Sequence, residues 1–181
     1  MLGSNSFAGA SVVRRLLEDG ADVIGFNRSA EGSAIFLQYR WGEFSGTYRF
    51  VQADINHNLD EMAQILRDFN PKVVVDFMGQ GMVAESWRHP DQWFTTNVLS
   101  KVRLHEFLRE LGGLERYIRI STPEVYGSTD VPVSENWNFN PSTPYAVSHA
   151  AIDMSLRAYN QRYDFPVIFA RFSNFYGPGQ Q

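Results

Sequence analysis

The chain has 181 residues, 44% of them hydrophobic and 20% charged, which is ordinary for a globular protein and enough for one domain with a sizeable core. Its formal net charge is −4 with no Lys/Arg block, so neither a nucleic-acid tract nor a polybasic membrane patch is expected, and small-molecule chemistry is favoured. There is no cysteine, the four histidines (57, 89, 105 and 149) lack metal-binding spacing, and no apolar run is long enough for a bilayer span or signal peptide; no metal site is expected, and the cytosol is the default compartment.

In chain order, Leu2-Gly-Ser-Asn-Ser-Phe-Ala-Gly9 is a turn feeding a helix, in which Val12, Val13, Leu16 and Leu17 recur at helical spacing until Asp19-Gly20. Asp22–Phe26 and Tyr48–Gln52 read as short strands, joined by an irregular segment at 29–47. Asn58 and Glu61 suggest a capping arrangement for a helix with the stripe Leu59, Met62, Ala63, Leu66 and Phe69, which Asn70-Pro71 ends. The apolar run Val73–Phe77 predicts a parallel strand covered on both faces.

A long helix is expected from about 90 to 111, stopped by Gly112-Gly113, then a strand at Tyr117–Ser121. A loop with Pro132, Pro141 and Pro144 leads to a helix from about Tyr145 to Tyr163 and a last strand, Pro166–Ala170. The alternation predicts an α/β fold: a doubly wound, mostly parallel sheet with right-handed crossovers in the order 3-2-1-4-5-6. Only Met1 and Leu2 precede the glycine turn that should follow the first strand, so that strand is read as truncated and the chain as part of a longer protein.

Gly3, Ser6 and Gly9 form G-x-x-S-x-x-G, whose small residues let backbone N–H groups approach a pyrophosphate at a helix N-terminus. Other polar or glycine-rich positions, Asn27, Asp54, Phe77–Gly81, Thr122 and Ser173, fall at predicted strand carboxyl ends, where a ligand binds in such a sheet. Tyr145 and His149 sit four apart at the start of a helix and so share a face, although a buried Tyr packed beside a surface His has the same spacing.

Taken together, the glycine turn, Gln52-Ala-Asp54-Ile55, Phe77–Ser86, Asn97, Ser121-Thr-Pro-Glu-Val-Tyr-Gly127, Tyr145-x-x-x-His149 and Arg171–Gly179 resemble the extended short-chain dehydrogenase/reductases, in particular the nucleotide-sugar epimerases and 4,6-dehydratases. The resemblance implies a dinucleotide-binding Rossmann domain over 1–181, with the C-terminal substrate domain absent, and a homodimer for the complete protein. It implies that Tyr145 moves a proton on a sugar hydroxyl while hydride passes to and from a nicotinamide, that Thr122 hydrogen-bonds the same hydroxyl, and that Glu124 takes a sugar proton in dehydration. Three positions depart from the pattern: Ser6 stands in the glycine turn as G-x-x-S-x-x-G, His149 stands for a lysine that would lower the phenol pKa, and Pro123 for an aspartate of the elimination pair.

Cofactor contacts are implied for Gly3, Ser6, Phe7, Ala8, Gly9, Asn27, Arg28, Asp54, Ile55, Phe77, Met78, Gly79, Gln80, Asn97, Tyr145, His149 and Ser173, and substrate contacts for Gly81, Thr122 and Asn174. Asn27-Arg28 offers no ribose-binding acid, so the cofactor is NAD or NADP, with NADP or mixed use slightly favoured. Trp87, Trp93 and Phe94 resemble a base-stacking set and are read as helix-packing aromatics. The departures leave two alternatives, a non-catalytic dinucleotide or nucleotide-sugar binding module and a reductase of a non-sugar carbonyl.

Overall fold

A computed structural model describes residues 1–180 and contains the expected β/α alternation. Helix α1 (Phe7–Glu18) precedes β1 (Asp22–Asn27) and β2 (Thr47–Gln52). Helix α2 (Leu59–Phe69) and β3 (Val73–Asp76) follow; Asn70 ends α2 in the left-handed region at φ 48°, where its N–H donates to Leu66 O. Asn58 precedes α2, but its side chain accepts from Asp54 N rather than closing the expected capping box.

The helix expected over 90–111 is in pieces: α3 (Val83–Ser86) stands before it, and α4 (Pro90–Phe94) runs through a π-helical stretch at Thr95–Ser100 into α5 (Lys101–Leu111). That wider stretch carries Asn97 and Ser100 inward, and Lys101 follows them into the core. Strand β4 (Arg116–Ser121), α6 (Pro144–Tyr163) and β5 (Val167–Arg171) complete the chain. Thr143 caps α6 by accepting from Ala146 N, and Pro144 occupies the first turn, where its missing N–H costs nothing.

All the strand pairings are parallel. They form two ladders, β1 with β2 and β3–β4–β5, joined where Leu2 bridges Phe26 on one side and Asp76 on the other. In place of a full first strand, Leu2 N donates to Val75 O at 2.9 Å and Leu2 O accepts from Phe77 N at 2.9 Å. Below this bridge a 440 Å³ apolar groove opens between Val23, Phe69, Val73 and Leu108. Val73 is therefore 48% exposed, against the expectation of a strand covered along its length, while Val74, Val75 and Asp76 are buried.

The main core packs Leu2, Phe26, Met62, Leu66, Leu104, Leu108, Tyr117 and Leu156 around the sheet, and a second cluster, Ala10, Val13, Leu17 and Val23, seats α1. Of the three aromatics read as packing residues, Trp93 is buried, whereas Trp87 and Phe94 are exposed.

Candidate functional site

The turn between Leu2 and α1 is held by its own small residues. Gly3 has φ +76°, and a Cβ there would lie 2.8 Å from Phe77 C, so no larger residue fits without moving the next strand end. Ser6 caps α1: its hydroxyl donates to Gly3 O at 2.8 Å and accepts from Gly9 N at 3.1 Å. The N–H groups of Phe7 and Ala8 remain at the open end of the helix, where the dipole favours an anion, and both residues line a cleft above the sheet. Gly9 lies under this turn rather than in the cleft, with the position of a Cβ 2.1 Å from Gly3 O.

The cleft has two lobes that share Ser6 and Phe77–Gln80. The smaller, about 150 Å³, is lined by Gly3, Asn27, Arg28, Asp54 and Ile55. Part of the polar capacity there is spent locally: Asn27 Nδ2 donates to Ser29 O, and Asp54 Oδ1 accepts from Asn56 N at 2.8 Å. The larger, about 580 Å³, brings together Gly81, Thr122, Glu124, Tyr145, His149, Ser173 and Asn174, which come from four separate stretches of sequence. Asn97 belongs to neither lobe. It is buried behind the wall, where Oδ1 accepts from Gln80 N at 2.7 Å and Nδ2 donates to Gln80 O and Ser148 Oγ, so it shapes the Gln80 loop from behind.

Tyr145 and His149 stack one turn apart on α6, with ring centroids 4.5 Å apart. His149 is buried, unlike the surface His that the spacing alone also allowed. Thr122 caps the short 3₁₀ turn at Pro123–Tyr126 by accepting from Glu124 N at 3.2 Å, which leaves its own O–H to donate elsewhere. Burial pushes the Tyr145 phenol above its ordinary value, against the opposing pull of the Thr122 hydroxyl and the Arg119 charge; the Glu124 carboxylate adds to the rise.

Behind this pair lies a buried ionic cluster that sequence reasoning missed. Asp76 on β3 pairs with Lys101 and accepts from Tyr117 Oη at 2.7 Å. Arg119 on β4 reaches Asp153 on α6 through Nε at 3.3 Å, and Asp153 also accepts from Ser121 and Arg171. Burial alone would raise the Asp76 carboxyl, but the Lys101 and Arg119 charges outweigh it and hold it below the ordinary range. The available signal was an ionisable residue inside each of two apolar strands, Asp76 and Arg119, with Lys101 on the inward side of a helix. Among the described residues no group of three or more metal-ligating side chains forms, and no helix is long and apolar enough to cross a membrane.

A parallel α/β sheet with a capped glycine turn at the start of one helix, and a cleft beyond the strand carboxyl ends that gathers Thr122, Tyr145 and His149, defines a doubly wound α/β protein of the Rossmann type. Comparison with known proteins makes this specific: the NAD dependent epimerase/dehydratase family matches residues 1–181, and the chain belongs to that family. It is 34% identical to a UDP-glucose 4-epimerase of Mycolicibacterium smegmatis over 98% of this chain and 56% of that protein. It is 35% identical to mouse dTDP-D-glucose 4,6-dehydratase over 74% of this chain and 37% of that one. Among solved structures, the Thermus thermophilus UDP-glucose 4-epimerase complex with NAD superposes with a TM-score of 0.85 at 28% identity, covering 99% of this chain and 56% of the other. The chain thus spans about half the length of the full-length curated relative it matches along nearly its whole extent.

Proposed function

We propose that this chain is the cofactor-binding and proton-moving part of an NAD-dependent nucleotide-sugar epimerase. The observation that carries the reading is the convergence of Tyr145, Thr122, His149 and the open end of α1 on one cleft. The residues present fit a dinucleotide: Gly3 and Gly9 have no room for a Cβ, and the Phe7 and Ala8 N–H groups form the donor set a diphosphate needs. NAD is preferred because the similar Thermus thermophilus UDP-glucose 4-epimerase structure holds it. When bound, the nicotinamide supplies reversible hydride acceptance.

Around it, Tyr145 takes the proton of a sugar hydroxyl as that carbon is oxidised and returns it on reduction, while Thr122 donates to and orients the same oxygen. Gly81 and Asn174 line the sugar side, Ser173 the nicotinamide side, and Asn27, Arg28, Asp54 and Ile55 the adenosine side. A 4,6-dehydratase is the second reading, favoured by Glu124, an exposed carboxylate at the cleft, and by the likeness to the mouse dTDP-D-glucose 4,6-dehydratase. Pro123 beside Glu124 has no proton to give a departing hydroxyl, which places epimerisation first. The complete protein is read as cytosolic and homodimeric; exposed Leu99, on the π-helical stretch, and Met154, on the adjoining α6, are apolar side chains that a second copy would cover.

The test has two arms. Calorimetric titration of the 181-residue chain with NAD is expected to show one site, and a folded chain that takes up no NAD would overturn the reading. In a version carried to the full length of those relatives, UDP-glucose is expected to invert at C4, and Tyr145→Phe to lower the rate by about 10²–10⁴-fold with NAD affinity within a few-fold. Retained turnover in Tyr145→Phe would remove the phenol from the chemistry, and turnover only with non-nucleotide carbonyls would make the protein a reductase.

A further inference from the structure

The Tyr145-x-x-x-His149 pair contains no fixed cation, yet a phenol that must lose its proton near neutral pH needs one nearby. The structure has one a strand away. Arg119 is only 2% exposed, lines the cleft beneath Tyr145 and His149, and points its Nη2 at His149 Nδ1 from 3.0 Å. Guanidinium has five N–H donors, no acceptor, and does not lose its proton in a protein. The contact therefore assigns the ring: Nδ1 must carry the lone pair and accept, so the single ring proton is on Nε2, on the far side of the imidazole. A second proton on Nδ1 would set N–H against N–H and add a cation beside Arg119.

The surrounding charges point the same way. The groups around the imidazole are Arg119 from β4, Lys101 from α5, and on α6 itself Tyr145 one turn back and Asp153 one turn on, whose carboxylate is held by Arg119, Ser121 and Arg171. Burial first, then the Arg119 and Lys101 charges, hold His149 well below its ordinary pKa. The cluster already sets Lys101, Arg119 and Arg171 against Asp76 and Asp153, so a lysine at 149 would add a further cation without a carboxylate to meet it.

We propose that Arg119 is a positioning residue of this site: it locks His149 as the neutral Nε2–H tautomer, a single donor for a ligand oxygen in the cleft, and it supplies the permanent positive charge behind the Tyr145 phenol. The proposal rests on the reading of the cleft as a dinucleotide and sugar site, in which the phenol moves a proton. In this arrangement the positive charge nearest the phenol comes from the neighbouring strand, and it partly offsets the burial and the Glu124 carboxylate that raise Tyr145.

The experiment is nuclear magnetic resonance of the imidazole nitrogens in the isotope-labelled 181-residue chain, with His149→Gln used to assign the signals. The expected wild-type spectrum shows His149 protonated on Nε2 alone and unchanged from roughly pH 5 to 8, the range in which a free histidine titrates. An Nδ1–H tautomer, a mixture of tautomers, or a midpoint near the ordinary value would overturn the proposal, and this measurement needs no variant of Arg119. Arg119→Met is expected to release the ring into a tautomer mixture and to raise the titration midpoint of Tyr145, read from its ring carbon beside the hydroxyl. Arg119→Lys, which keeps a donor and a charge, is expected to hold both near wild type. An unmoved Tyr145 midpoint in a folded Arg119→Met chain would overturn the charge role. None of these readouts requires NAD or turnover, so their failure is distinguishable from failure of the epimerase reading, which the NAD titration decides.

Discussion

Arg28 is the residue on which cofactor choice turns. It is exposed at the rim of the smaller lobe beside Asn27, an amide at the end of β1 that is tied to Ser29 O, so the strand end itself carries no acid and Asp54, partly engaged by Asn56 N, is the carboxylate that lines the lobe. The chain is therefore expected to accept NADP alongside NAD, and Arg28→Asp to lower NADP affinity relative to NAD by about tenfold, roughly 1.4 kcal/mol. Parallel titrations with the two dinucleotides check this; an unchanged ratio would mean that Arg28 points away from the ribose. At this scale the sequence was legible where a residue acts through its own position in the turn or at a strand end, as Gly3, Thr122 and Tyr145 do. It was not legible where the role depends on a partner distant in sequence. His149 read as the loss of a lysine because nothing local shows that Arg119, thirty positions earlier, faces it at 3.0 Å. Asn97 read as a cofactor contact because its type matched, while its direction, back toward Gln80 and Ser148, is set by the π-helical stretch.

The N-terminus of α1 shows how an element is committed to its task. Gly→Ala inside a helix ordinarily stabilises by about 1 kcal/mol. At Gly9 the sign reverses, because the new Cβ would stand 2.1 Å from Gly3 O and 2.7 Å from Ser6 Oγ, and both belong to the turn that presents the Phe7 and Ala8 N–H groups. Gly9→Ala is expected to cost about 1–3 kcal/mol, as overpacking does, and to weaken NAD binding more than that loss of stability explains. Thermal melting and NAD titration check it, with Gly32→Ala as the control, since a Cβ there meets nothing within 4 Å. A Gly9→Ala chain that melts higher and binds normally would show that the turn relaxes freely. Element type was readable from hydrophobic period and stop signals: α2 ends at Phe69 before Asn70, and α6 begins at Pro144. The π-helical interruption of the 90–111 helix was not, because its inward residues, Asn97, Ser100 and Lys101, are polar and make sense only with their tertiary partners.

Over the whole molecule, the buried ionisable groups set a direction for stability against pH. His105 is fully buried: Tyr117 gives its proton to Asp76, so His105 Nε2–H must donate to the Tyr117 oxygen at 2.8 Å, and Nδ1 is left without a partner. Burial holds this imidazole down at about 3, well under its ordinary 6.5. His149 is likewise held low. For each of these groups the folded pKa lies below the unfolded one, so between the two values the unfolded chain binds more protons and stability rises with pH. The contribution is complete above the unfolded value and is lost as pH falls toward the folded value, from about 6.5 to 3 for His105. Each group contributes up to about 1.4 kcal/mol per pH unit inside its window. Urea unfolding of the 181-residue chain is expected to give a lower midpoint near pH 5.5 than near pH 8, with the slope against urea unchanged, because the same surface is exposed in both cases. A midpoint that is level across this range, or that rises on acidification, would show that these buried nitrogens are protonated in the folded chain and that the polar interior is wetter than its packing implies.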